Sequence, residues 1–365
     1  MGNNNEFIVP VGSVIREYLD EYGISQKELA VRLGMSEKHV SNFMNAKSRL
    51  TEEVAIKLES VIPDIRAGYW LNYESKYREY LARQKMEMDL EKEDLDKLAD
   101  RFHFKEAFKG TGWDKLKQAQ EMLKLLQISS FDNFDAAYAN LRVSFMEDGG
   151  QLEPTVVWLK LCEDEIELQN AEIDNTNFSK KELEKKLGLL KGLALSEDRV
   201  NLTKNCRVLF NRLGIYLVYY EAIVNSKVRG ALTTYKGHPA IFLSGRFKTH
   251  DHVWFALMHE VGHLLLHYDE KETLVSYEEC EETSEKEKEA NEFARNFFVA
   301  EDQYNLFVKQ HTDNGASFSE QEIRKFAIRQ KVHPGIVVAR LQHDNYIEMK
   351  YMNNLKAKMD VLYES

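Results

Sequence analysis

The chain runs to 365 residues, long enough for two or three domains at about 150 residues each, and its 43% of apolar residues suffices for packed cores. Lys and Arg number 49 against 60 Asp and Glu, so a net charge of −11 and an isoelectric point near 5.6 exclude a general polyanion binder. Any nucleic-acid contact must be local. Cys162, Cys206 and Cys280 are odd in number and widely spaced, unlike a disulfide framework or a Cys-type zinc finger, and fit a reducing cytosol. The opening Met1-Gly2-Asn3-Asn4-Asn5-Glu6 lacks the charged-then-apolar pattern of a signal peptide, and Glu6 spoils a myristoylation site. No run approaches the roughly 18 apolar residues of a membrane span, so a cytoplasmic location and no membrane partner are expected.

From Gly23 to Ala46 the chain reads as two short helices joined by a turn at Gly34. Ser25 and Ser36 stand where N-caps are needed, and Glu28 completes a capping-box pattern for the first helix. Ala30 is small where two helices must cross closely, and Leu29, Leu33, Val40 and Phe43 supply a shared core. This segment resembles the helix-turn-helix of the Xre/Cro repressor class and, more narrowly, antidote proteins of the HigA type. The narrower likeness comes from Pro10 to Leu19 before the motif and Tyr69 to Tyr77 after it, and covers residues 8–82. It implies that Ser36, Glu37, Lys38, His39, Ser41 and Asn42 open a recognition helix whose N-terminal side chains face base edges in the major groove. Lys27, Lys47 and Arg49 would then lie near phosphates, which position a protein without reading sequence. A bundle that keeps this shape without binding DNA is the alternative, with the acidic Glu37 and Glu53 in its favour.

Residues 83–204 carry no motif assignable to chemistry and read as a helical linker, sensor or dimerisation region. Charges alternate from Tyr73 to Glu93 on an exposed helix, and Leu116, Ala119, Met122, Leu123 and Leu126 recur at helical spacing. Glu147-Asp148-Gly149-Gly150 reads as a turn, Trp158 to Cys162 as helix, Asn175-Thr176-Asn177 as a break, and Ser179 starts another helix.

The period then changes. Gly214 to Tyr220, Arg229 to Tyr235 and Pro239 to Ser244 are rich in β-branched and aromatic residues, the last two separated by a Lys236-Gly237-His238 turn. Three strands are predicted, with 239–244 as the edge along which an extended peptide would add.

His259-Glu260-Val261-Gly262-His263 follows on a strongly apolar helical run. Histidines four apart project from one side of an α-helix with its about 3.6 residues per turn, so both imidazoles reach one ion. Glu260, beside the first, is placed to take a proton from a zinc-bound water and return it to a leaving amine. Catalytic zinc usually takes a third protein ligand. The next helix offers an inward stripe of Ala290, Phe293, Ala294 and Phe297, which Glu287 extends; Glu289 lies one position off the stripe and stays in play.

Phe255 to His267 together with Glu287 to Ala294 resemble the ImmA/IrrE-type metallopeptidases of bacteria and their phages, over residues 205–345. In such zincins the third ligand is the first glutamate of an E-x-x-A-[ND] segment, which here implies Glu287. The family ends that helix with a Leu-Leu-Met-Pro-like stop, where this chain has Phe297-Phe298-Val299-Ala300. His267 reads as a surface or core histidine rather than a second-layer partner, and Tyr235, His238 and Tyr268 are open candidates to stabilise an oxyanion. Residues 323–341 faintly resemble a second helix-turn-helix and are expected to pack on the peptidase, ahead of a tail at 346–365.

The expected architecture is therefore multidomain and mainly α. It comprises an all-α helix-turn-helix bundle, a helical middle, and an α+β zincin-like domain with a small three-stranded sheet. The expected function is a DNA-binding regulator with a Zn²⁺ endopeptidase, and the resemblance to the ImmA/IrrE type implies that it acts on a repressor or other regulatory protein in a stress or mobile-element response. The alternative is a HigA-like antitoxin and repressor whose peptidase-like domain is a non-catalytic platform. Expected partners are operator-like DNA, a protein substrate or toxin, and a second copy in a homodimer.

Overall fold

The computed structural model describes residues 8–141, 151–169, 173, 176–196, 202–246, 248–277, 284–313 and 317–359. The turn expected at Gly149-Gly150, the residue Asn175 and the thiol of Cys280 lie outside the described residues. The fold is mainly helical, with two compact units that part between Asp94 and Leu95.

The first unit holds α1 (Val11–Glu21), α2 (Gln26–Leu33), α3 (Glu37–Met44), α4 (Glu52–Val61) and α5 (Ala67–Leu90). Ser25 accepts the Glu28 amide and Ser36 the His39 amide, so both N-caps form as the sequence indicates. Gly34 closes α2 in the left-handed region at φ 64°. The capping box predicted for α2 is only half formed, because the Glu28 carboxylate turns to Arg32, one helical turn on, at 2.6 Å. Leu29, Ala30, Leu33, Val40 and Phe43 are all buried in the shared core. A Cβ on Gly12 would come within 2.0 Å of the Met44 carbonyl oxygen, so α1 and α3 meet at a distance only glycine permits. Buried Glu74 on α5 accepts the Leu50 amide at 3.3 Å and pairs with Arg78 at 2.7 Å, while Arg78 donates to the Ser48 carbonyl at 3.0 Å. These bonds fix the loop after α3 and leave Lys47 and Arg49 exposed on it. The boundary expected at residues 82 and 83 falls inside α5.

In the second unit, α6 (Leu95–Arg101), α7 (Phe104–Ala107), α8 (Lys115–Leu125) and α9 (Phe134–Ala137) gather around buried Phe102, Phe104, Phe131 and Phe134. Next come α10 (Leu152–Gln169), α11 (Lys180–Ala194) and α12 (Leu202–Asn211). Strands β1 (Tyr216–Tyr220), β2 (Val228–Tyr235), β3 (His238–Ser244) and β4 (Leu274–Tyr277) form a sheet in the order β1-β3-β2-β4. Four strands replace the three expected, and β3 is central rather than an edge. It pairs in parallel with β1 on one side and antiparallel with β2 on the other. The reason lies in its burial. All seven residues of β3 are buried, with Trp158 of α10 against Phe242 on one face and Ile241 and Leu243 packed with α13 on the other. Lys236 and Gly237 both take positive φ, 47° and 80°, giving the two-residue turn that joins β2 to β3.

After β3 the chain forms α13 (His250–Leu266), then β4, then α14 (Glu285–Phe298), α15 (Glu301–Thr312), α16 (Glu320–Gln330) and α17 (Pro334–His343). The last pair, faintly helix-turn-helix in sequence, packs with α17 against α13. No helix among the described residues is long and apolar enough to cross a membrane.

Candidate metal centre

Helix α13 is buried on nearly all faces, as its apolar sequence requires, and α14 crosses it at Gly262. A Cβ there would lie 3.1 Å from the Phe293 ring and 3.2 Å from Cα of Ala290. The glycine lets the two helices touch backbone to backbone, which sets Glu287, one turn before Ala290, under the two histidines.

The result is a cluster of three donor atoms. Nε2 of His259 and Nε2 of His263 lie 3.0 Å apart. Glu287 brings Oε2 to 3.2 Å from His259 Nε2 and Oε1 to 3.0 Å from His263 Nε2. Among the described residues this is the one group of His, Cys, Asp or Glu side chains placed to hold a metal ion. A tetrahedral ion with bonds of about 2.0–2.1 Å would space its ligands about 3.3 Å apart, so the set fits zinc with little movement. Both imidazoles are oriented from behind, as metal-binding histidines require. His259 Nδ1 faces the Asn291 side-chain oxygen at 2.9 Å. His263 Nδ1 faces His267 Nδ1 at 3.1 Å, and His267 Nε2 in turn meets Glu289 Oε2 at 2.7 Å. Glu289 thus contacts His267, and His267 contacts His263, one side chain behind the cluster.

Burial pushes His259 down to about 4, keeping the ring neutral and its nitrogen free to coordinate. Burial works to raise the Glu287 carboxyl, but its bonds to His259 and His263 outweigh that and hold it well below the usual carboxylate range. Glu260 is pushed up to about 7, chiefly by burial. Its Oε1 accepts from Ser276 Oγ at 2.8 Å, and its Oε2 is buried with no hydrogen-bond partner among the described residues. Ser276 Oγ also lies 3.0 Å from His259 Nε2. Gly230 on β2 backs the same carboxylate: a Cβ there would fall 2.5 Å from Glu260 Oε1.

Ser276 and Asn291 were not singled out from sequence. Asn291 is the final residue of the E-x-x-A-[ND] segment, so a signal existed; Ser276 sits on β4, which gave none. The three oxyanion candidates are engaged elsewhere. Tyr235 donates to Glu167, His238 stacks edge-on against Tyr216 at 5.9 Å, and Tyr268 shares a hydrogen bond with Thr234 at 3.0 Å. In the first unit Glu37, Lys38 and His39 are exposed at the start of α3, Ser36 caps it, and Ser41 and Asn42 are half-buried one turn on. Lys27 is exposed on α2.

A profile described as the IrrE N-terminal-like domain, from a peptidase family, matches residues 210–342, and one described as helix-turn-helix matches residues 15–69. The chain is a helix-turn-helix fused to an ImmA/IrrE-type domain. The His-His-Glu cluster lies wholly within the ImmA/IrrE-type match, and α2 and α3 within the helix-turn-helix match. Virulence-associated protein A of Dichelobacter nodosus is 37% identical to the chain over 60 residues. That match covers 16% of this chain and 59% of the relative's own length. The two matches put a helix-turn-helix and a peptidase-like domain in one chain.

Proposed function

We propose that the chain is a transcriptional regulator whose C-terminal domain is a zinc-dependent endopeptidase that cuts a repressor or another regulatory protein. The observation that carries this reading is the convergence of His259, His263 and Glu287 at 3.0–3.2 Å with Glu260 on the same helix. Zinc held there would lower the pKa of a bound water to about 7 and polarise a scissile carbonyl. Glu260, already raised to about 7 by its burial, is matched to accept a proton near neutrality and return it to the leaving amine. Asn291, and His267 through Glu289, hold the two imidazoles in the tautomer that leaves each Nε2 a lone pair. In the first unit Ser36, Glu37, Lys38, His39, Ser41 and Asn42 would read base edges, with Lys27, Lys47 and Arg49 on phosphates.

A second reading is favoured by one observation: His259, Glu260 and His263 are each 0% exposed. In that reading the domain is a closed sensor or partner platform on a HigA-like antitoxin. The discriminating experiment compares new peptide N-termini in host lysate treated with zinc-loaded wild type and with Glu260→Gln. Cleavages made by the wild type alone, with zinc bound equally in both, support the endopeptidase. No difference between the two establishes the platform.

A further inference from the structure

Ser276 brings a hydroxyl to the metal centre from β4, outside both helices that supply the three ligands. Its Oγ lies 3.0 Å from Nε2 of His259, the same separation that divides the two imidazole nitrogens. Glu287 stands 3.2 Å from one ring and 3.0 Å from the other. Ser276 is therefore as near to His259 as the fellow ligands of one tetrahedral ion are to each other.

The sheet fixes the direction of this side chain. Ser276 pairs with Gly230 across β4 and β2, so the two positions face the same side. That side holds Glu260: a Cβ on Gly230 would meet its Oε1 at 2.5 Å, and Ser276 Oγ reaches the same oxygen at 2.8 Å. The register of the two strands shifts between Val228 and Gly230, beside this pair, and such bulges re-aim neighbouring side chains. Ser276 is only 1% exposed, so its hydroxyl must be satisfied from within.

Its single proton goes one way. The ionised carboxylate of Glu260 accepts it, since a carboxylate only accepts. The side-chain oxygen of Asn291 draws the proton of His259 to Nδ1 and leaves a lone pair on Nε2. Ser276 Oγ and His259 Nε2 thus face each other at 3.0 Å as two acceptors, an arrangement that a shared cation resolves.

We propose that the Ser276 hydroxyl is a fourth protein ligand of the centre, seated where a catalytic site keeps a position for water. Three protein ligands leave zinc open, and four close it. The inference rests on the reading of His259, His263 and Glu287 as a zinc set. Joined to the endopeptidase reading, it makes the peptidase closed at rest. Water enters when β4, at the sheet edge beside β2, carries Ser276 off the centre.

The test reads coordination, not turnover. Full-length wild type, Ser276→Ala and Ser276→Cys are loaded with Co²⁺, whose visible absorption reports its ligands, and cobalt per chain is measured in each. Azide is then titrated in. It should leave the wild-type bands unchanged, because the fourth position is taken, and shift those of Ser276→Ala, where only water has to leave. Ser276→Cys should add a thiolate-to-cobalt charge-transfer band absent from the wild type, which keeps the proposal testable should the alanine variant fail to fold. Azide shifting the wild type as it shifts Ser276→Ala overturns the proposal. So does a cobalt-loaded Ser276→Cys without the new band. Either of those results leaves the three-ligand set standing, whereas a wild type that takes up no cobalt removes that set and the proposal with it.

Discussion

Ser276 Oγ lies 2.8 Å from Oε1 of Glu260, reaching it from a four-residue strand at the sheet edge. This is the hydrogen bond that satisfies a fully buried carboxyl whose other oxygen is unpartnered among the described residues. Ser276→Ala should therefore cost about 1–3 kcal/mol of stability in the C-terminal unit. Denaturant unfolding of the metal-free protein reads it. An unchanged midpoint would mean that Ser276 does not carry the carboxyl.

Gly230 controls the same group from β2. Alanine there would place its Cβ 2.5 Å from Glu260 Oε1 and 3.0 Å from Cδ, so the carboxylate must turn away. Gly230→Ala should abolish hydrolysis while His259, His263 and Glu287 still take up zinc. Zinc lost together with activity would show that the clash is relieved at the ligands instead.

Asn291 acts on the metal through His259. Its side-chain oxygen, 2.9 Å from Nδ1, fixes the ring, and support of this kind is typically worth about 10–100-fold in metal affinity. Asn291→Ala should weaken zinc by about that factor in a chelator competition, and Asn291→Asp should restore most of it. Equal affinity in all three proteins would remove Asn291 from the centre.

The two units make a separable prediction. Gly12→Ala would drive a Cβ into the Met44 backbone at 2.0 Å, and overpacking of this kind typically costs about 1–3 kcal/mol or more. Operator binding and the unfolding transition of the N-terminal unit should suffer, while zinc per chain stays constant. Loss of zinc would contradict the independence of the two cores.

Much of this was readable from residue patterns, for identifiable reasons. His259 and His263 share a helix face by spacing alone, and the stripe of Ala290, Phe293 and Ala294 pointed to Glu287 over Glu289. The caps Ser25 and Ser36 are local, and they form as read. What failed was non-local. The run Ala240-Ile241-Phe242-Leu243 has the continuous apolar character of a strand covered on both faces, yet its parallel partner β1 depends on a crossover that no short window contains. Strand β4 has only four residues, Leu274 to Tyr277, and earns its conformation from pairing with β2 rather than from its own pattern. A cleft of about 680 Å³ beside the His-His-Glu cluster is lined by residues as far apart in the chain as Arg229 and Lys356, and nothing in their spacing announces it.

Zinc per chain, by elemental analysis, in full-length protein purified without added metal and in Glu287→Ala decides whether the cluster holds a metal. The wild type should carry close to one zinc and the variant should lose most of it, because Glu287 closes the set with His259 and His263. A wild type that holds no zinc and takes up none on addition would contradict the assignment of a metal site.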